Sequence, residues 1–109
     1  MSNYVFFESR DPFDSPGTTL VSETAVALKL KGHTVTVFLV QNGVLGARKL
    51  ANKSQVPAIV KSGVTVLADD FSLQQRGIAM DECAPGLQAG TIDRLIDLLV
   101  QDNTKAVWH

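Results

Sequence analysis

Few side chains in this sequence can do chemistry, and they fall in four short stretches. Asp69-Asp70 set two adjacent carboxylates at the end of an apolar run. With Asp11 or Asp14 as further oxygen donors, such a pair suits a divalent cation such as Mg²⁺. A receiver-type phosphoacceptor aspartate also sits at such a place, but it needs a lysine at the end of the last strand, and Lys105 stands at the start of that run. The structural alternative is that Asp70 N-caps a helix starting at Phe71 while Asp69 is solvated.

Cys83 is the only thiol. A nucleophilic or sulfur-carrying role requires a lowered pKa, from a helix N-terminus or a nearby cation. Its neighbours Asp81 and Glu82 act in the opposite sense, and Arg76 is the nearest cation in sequence. The alternative is a small buried filler. In the stretch Ser9–Gly17 and just beyond it, Ser15 and Thr18 can hold a phosphate at a helix N-terminus or simply cap that helix. Asn42 and Gly43, in the turn Gln41-Asn42-Gly43, complete the candidate ligand-binding set with Asp69, Asp70, Ser15 and Thr18.

The elements that must position these residues follow from hydrophobic patterning. Thr34–Val40 is a short uncharged apolar run next to Gly32 and Gly43, as expected for a strand buried on both faces. Tyr4–Phe7 lies within a first strand, Asn3–Glu8, and residues 18–31 carry helical spacing, closed by Gly32. Strand, helix and buried strand together predict a right-handed βαβ unit with parallel strands. Downstream, the pattern predicts a helix from Val44 to about Leu50 and a short helix near Ser54–Lys61 with Pro57 in its first turn. It then predicts a strand over Val64–Ala68, a helix over Phe71–Arg76 and a short strand containing Leu87. Thr91 is placed to N-cap an amphipathic helix whose stripe is Ile92, Leu95, Ile96, Leu99 and Val100, before a last strand Lys105–Trp108. Loops at the carboxyl ends of such strands are where ligands bind, and three of the four candidate stretches lie there. His33 falls at the opposite edge and reads as structural, and His109 has no assigned role. Phe13 and Trp108 are candidates for an interface, with core packing the default for Trp108.

Composition narrows the classes. With 109 residues, 45% apolar content and a net charge of −1, the chain suits one globular domain over 1–109 and lacks the basic field that nucleic acid or an anionic membrane would require. No glycine-rich nucleotide fingerprint occurs. One cysteine forms no internal disulfide, and the start of the chain has no signal-peptide pattern, so a cytoplasmic location is expected.

The order Ala27-Leu28-x-x-x-Gly32-His33-x-Val35-x-Val37-Phe38-Leu39, then Gly43-Val44, Ala47 and Arg76-Gly77-Ile78, followed by the Thr91–Val100 helix and an apolar last strand, resembles the DsrE/DsrF/TusD family of small sulfur-relay proteins. The resemblance covers nearly the whole chain. It implies a DsrEFH-like three-layer fold, a cytoplasmic location, and assembly into trimers, hexamers or hetero-oligomers. It also implies, in active members, a cysteine near the end of the third strand that carries persulfide sulfur. That position, about seven residues before the Arg-Gly pair, is Asp69 here. A carboxylate cannot carry persulfide sulfur. The family also includes cysteine-less subunits that act as scaffolds.

The resulting expectation is a three-layer α/β/α domain with a mostly parallel sheet of about five strands. Its function is that of a non-catalytic or divergent DsrE-like subunit binding itself or protein partners in a sulfur-relay setting, without a cofactor. The alternatives are a sulfurtransferase carrying persulfide on Cys83, and a small-ligand or divalent-metal domain using Asp69 and Asp70.

Overall fold

The computed structural model describes residues 2–51 and 54–109. Chain order is β1 (Asn3–Glu8), α1 (Gly17–Leu30), β2 (Thr34–Leu39), a 3₁₀ segment (Gln41–Ala47), α2 (Val56–Lys61), β3 (Thr65–Asp69), α3 (Asp70–Gln75), a 3₁₀ turn (Met80–Glu82), β4 (Gln88–Gly90), α4 (Ile92–Leu99) and β5 (Thr104–Trp108). The five strands form one sheet in the order β4-β3-β2-β1-β5, and every pair is parallel. The sequence therefore predicts both the three-layer class and the parallel sheet.

Each crossover from β1 to β4 moves in one direction across the sheet, so right-handed connections place α1, α2 and α3 on the same face. The core there joins Phe6, Val35, Val37, Leu39 and Val66 to Ala25 of α1, Val56 and Ile59 of α2 and Leu73 of α3. The chain then returns from β4 at one edge to β5 at the other. That span is about four strand spacings, roughly 19 Å, and α4 lies along it on the second face. Only Leu95 and Leu98 of α4 pack on Val5, Phe7, Phe38 and Leu67.

Several local expectations are corrected. The helix predicted over Val44–Leu50 is a 3₁₀ segment that begins at Gln41, within the predicted turn. It passes so close to β1 that a side chain at Gly43 would strike the Glu8 carbonyl, and one at Gly46 would press on Pro12. Glycines meet that constraint and weaken a regular helix at the same time. Neither Ser15 nor Thr18 caps α1 through its side chain. Pro16 holds the N-cap position, while the Ser15 carbonyl accepts from Thr18 N–H and Oγ1 (3.2 and 3.0 Å). Leu87 is buried just ahead of β4 rather than within it.

The apolar stripe on α4 is the largest departure from a simple core reading. Ile92 is 69% exposed, and Ile96, Leu99 and Val100 are also exposed. The helix turns Leu95 and Leu98 to the sheet, so the stripe's centre faces sideways by roughly a quarter turn at 100° per residue. Trp108, stacked on Phe7 at 5.6 Å between ring centroids, is 62% exposed on this same second face, so core packing does not describe it.

The contact at Gly43 yields a stability test. Gly43→Ala should lower stability by about 1–3 kcal/mol, the usual range for overpacking, because the obstructing atom is backbone and cannot rotate away. Urea denaturation measures this, and an unchanged midpoint would contradict the packing.

Candidate functional site

Apart from Cys83, the candidate residues lie in the segments that follow the carboxyl ends of β1, β2 and β3, the edge where an open parallel sheet binds ligands. Asp69 ends β3 and is the N-cap of α3. Its Oδ2 accepts from Ser72 N–H (3.0 Å) and from Ser72 Oγ–H (2.6 Å). Asp70, expected to be the cap, is instead the first residue of the helix and is exposed, its charge adjacent to the positive helix end. The chain is extended through Asp69 (φ −58°, ψ 120°), which places its carboxylate over the helix opening. Asp70 already has helical backbone and cannot reach back.

Ser72 carries this connection to the next strand. Buried among these elements, its Oγ donates to Asp69 and accepts from Gln41 N–H (2.9 Å). Gln41 has a left-handed φ of 51°, the sharp turn that leads the chain from β2 into the 3₁₀ segment. Asn42 is tied from the other side: its Oδ1 accepts from Arg76 Nε and Nη2 (3.3 and 3.0 Å), while Arg76 Nη1 donates to the Ser72 carbonyl (3.3 Å). Asp69, Ser72, Gln41, Asn42 and Arg76 thus form one network holding the β2 and β3 ends together. Gly43 belongs to the same corner through Gly43 N–H to the Val40 carbonyl (2.8 Å).

The sheet keeps these carboxylates apart from the acidic residues of the first loop. Asp11 and Asp14 follow β1, and β2 separates β1 from β3, a gap of about 10 Å between strand axes. Asp11 Oδ1 accepts from Phe13 N–H (2.9 Å) and shapes its own turn. Among the described residues, no group of three or more His, Cys, Asp or Glu converges as a metal site. The Ser15 carbonyl is engaged with Thr18, and Thr18 is buried.

Cys83 is only 6% exposed. The 3₁₀ turn wraps it, with Glu82 Oε1 accepting from Ala79 N–H (2.9 Å) and Cys83 N–H donating to the Met80 carbonyl (3.1 Å). An isolated bridge between Arg48 and Cys83 fixes the other side, and Sγ lies 3.7 Å from the Ala79 carbonyl oxygen. Burial, then the charges of Glu82 and Asp81, push its thiol pKa up, away from the thiolate that sulfur transfer needs. Arg76 is committed to Asn42 and Ser72.

One pair was not legible as a pair in the sequence. Glu8, almost wholly buried at the end of β1, accepts from or shares a proton with His109 Nδ1 (2.8 and 3.0 Å) and accepts from Arg10 N–H (3.3 Å). His109 backbone N–H donates to Phe7 (2.8 Å), and its carbonyl accepts from Ser9 N–H and Oγ (2.9 and 2.8 Å). A charged residue closing an otherwise apolar strand was the available signal. His33 is structural, as expected: Nδ1 accepts from Ser2 N–H (3.1 Å) and the ring meets Tyr4 edge-on.

If Asp69 is present as a cap, removing the oxygen matters and removing the charge matters little. Asp69→Ala should cost about 1 kcal/mol, within the 0.5–2 kcal/mol typical of lost N-caps, whereas Asp69→Asn should retain most of that stability. Chemical denaturation of both variants measures the difference. Equal losses in the two would show that the carboxylate charge itself is required.

Comparisons with known proteins agree with this geometry. Over its full length the chain superposes on the YchN protein of E. coli, with a TM-score of 0.86, 19% sequence identity and 100% of both chains covered. It likewise superposes on MTH1491 of Methanobacterium thermoautotrophicum, a protein of unknown function, with a TM-score of 0.80 and 15% identity over 100% of both chains. At these identities the likeness establishes the shared fold. No curated protein sequence matches the chain. The DsrE/DsrF-like family matches residues 2–105. By that match across nearly its whole length, carried on the five-stranded parallel sheet and its α-helical layers, the chain belongs to the DsrE/DsrF-like family.

Proposed function

We propose that this protein is a non-catalytic DsrE-like subunit that acts by self-association and partner binding in a cytoplasmic sulfur-relay setting. The observation that carries this reading is the occupant of the β3 end. Where the family resemblance puts a sulfur-carrying thiol, Asp69 spends its carboxylate on Ser72. The chain's one thiol, Cys83, is buried in another loop. Its enclosure and raised pKa also weigh against the sulfurtransferase reading, and the engaged carboxylate weighs against a cation on Asp69 and Asp70.

Binding rather than chemistry is supported by the second face of the sheet. An eight-residue helix is about 12 Å long, too little to cover five strands. Ile92, Ile96, Leu99, Val100 and Trp108 remain exposed there, and full burial of each such side chain stabilises by about 1.5–3 kcal/mol. Large apolar side chains exposed together along one helix face mark an association site. Among the described residues, no helix is long and apolar enough to cross a membrane.

Sedimentation velocity over a concentration series tests self-association. The wild-type chain should sediment as a species larger than a monomer, and Ile96→Glu should shift it toward monomer with an unchanged circular dichroism spectrum. A wild-type chain that stays monomeric throughout would overturn the self-association reading.

A further inference from the structure

We propose that the cleft between the first loop and the end of the 3₁₀ segment binds a small organic monocarboxylate with an aromatic or otherwise apolar body. The cleft has a volume of about 490 Å³ and is lined by Phe13, Arg48, Lys49, Leu50, Ala51 and Glu82. Small-molecule sites typically enclose about 300–1,000 Å³. The cavity beside Glu8, Thr18 and Ser22 holds about 30 Å³, room for water alone. Size therefore directs a ligand to the cleft at Arg48.

Backbone contacts build this cleft. Gly46 lies against Pro12, which brings the first loop onto the 3₁₀ segment. The Asp11 turn carries the Phe13 ring, through Phe13 N–H donating to Asp11 Oδ1 (2.9 Å), and the Arg48 guanidinium carbon lies 6.0 Å from that ring's centroid, within reach of a cation–π contact. Lys49 N–H donates to the Glu82 carbonyl and Ala84 N–H to the Ala47 carbonyl (both 2.8 Å), on either side of the Arg48–Cys83 bridge. The two cations thus stand on a fixed strip of chain. Arg48 Nε donates to the Leu45 carbonyl (2.9 Å), which sets the guanidinium plane and leaves its two Nη groups for a ligand.

Charge and apolar area then select the ligand. Among the described residues the one ion pair is Glu8–His109, so no carboxylate matches Arg48 or Lys49. Glu82 lines the same cleft but turns Oε1 to Ala79 N–H (2.9 Å). A guanidinium fork meets both oxygens of a carboxylate at once. Arg48 and Lys49 against Glu82 leave one positive charge, and Asp11 and Asp14 share the loop of Phe13. That balance suits a single carboxylate and is unfavourable to a phosphate dianion or a polyphosphate. Phe13, 39% exposed, and Leu50, 90% exposed, are the surfaces on which an apolar body is buried.

Amide NMR of the whole chain titrated with benzoate tests this, with benzamide as the uncharged isostere and inorganic phosphate as the bare anion. Benzoate should shift the amides of Phe13, Arg48, Lys49, Ala51 and Glu82 saturably. Benzamide and phosphate should bind about tenfold more weakly or worse, the cost expected for losing a charged hydrogen bond or the apolar contact. Arg48→Gln should weaken benzoate by about tenfold or more. Lys49→Gln changes an exposed side chain and supplies a second arm if the first variant does not fold; it should weaken benzoate severalfold. Benzamide binding as tightly as benzoate, or a folded Arg48→Gln or Lys49→Gln with unchanged affinity, would overturn the carboxylate assignment. Phosphate binding as tightly would remove the apolar body from it. Shifts confined to α4, or none that saturate, would overturn the site.

Discussion

A parallel sheet presents two faces whose side chains both need apolar cover, and this chain supplies that cover unevenly. The steps from β1 to β4 run one way across the sheet and lay α1, α2 and α3 on the first face. A single return to β5 leaves α4 alone on the second. The consequences reach the rest of the molecule. The first face closes into a continuous core around Val37, Val66 and Ile59, while the second holds Phe7, Phe38 and Leu67 beneath one short helix and leaves Trp108 at its margin. The apolar surplus of α4 is thus a product of strand order.

The β3 end follows a different logic. Helix α3 is six residues long, so its unsatisfied N–H groups are a large share of its backbone, and a cap has a correspondingly large effect. Asp69 provides that cap, and Ser72 passes the connection on to Gln41. A cysteine there would hydrogen-bond weakly by comparison. The side chain that stabilises this corner is therefore one that cannot carry sulfur.

Much of this was legible in the sequence because it depends on local pattern. The apolar runs around Phe6, Val37 and Val66 locate the strands, Pro57 locates the start of α2, and Thr91 caps α4 with its side chain accepting from Arg94 N–H (3.2 Å). What escaped depends on long-range geometry. Glu8 meets His109 because β1 and β5 are adjacent with Phe7 opposite Trp108, and strand order leaves no mark on local composition. The direction of the α4 stripe is set by how the helix crosses the sheet, so periodicity located the helix but not its exposed side. Choosing Asp69 over Asp70 as the cap required backbone angles. The burial of Cys83 required knowing that the 3₁₀ turn folds back on residues 47–49.

Whether this DsrE-like chain carries persulfide sulfur is tested most directly by intact-mass spectrometry after exposure to a persulfide donor. The account predicts that the folded protein keeps its mass, while the same chain unfolded in denaturant gains sulfur on the liberated Cys83. A gain of one sulfur atom by the folded protein, lost on reduction and absent in Cys83→Ser, would contradict the account and make Cys83 a working carrier.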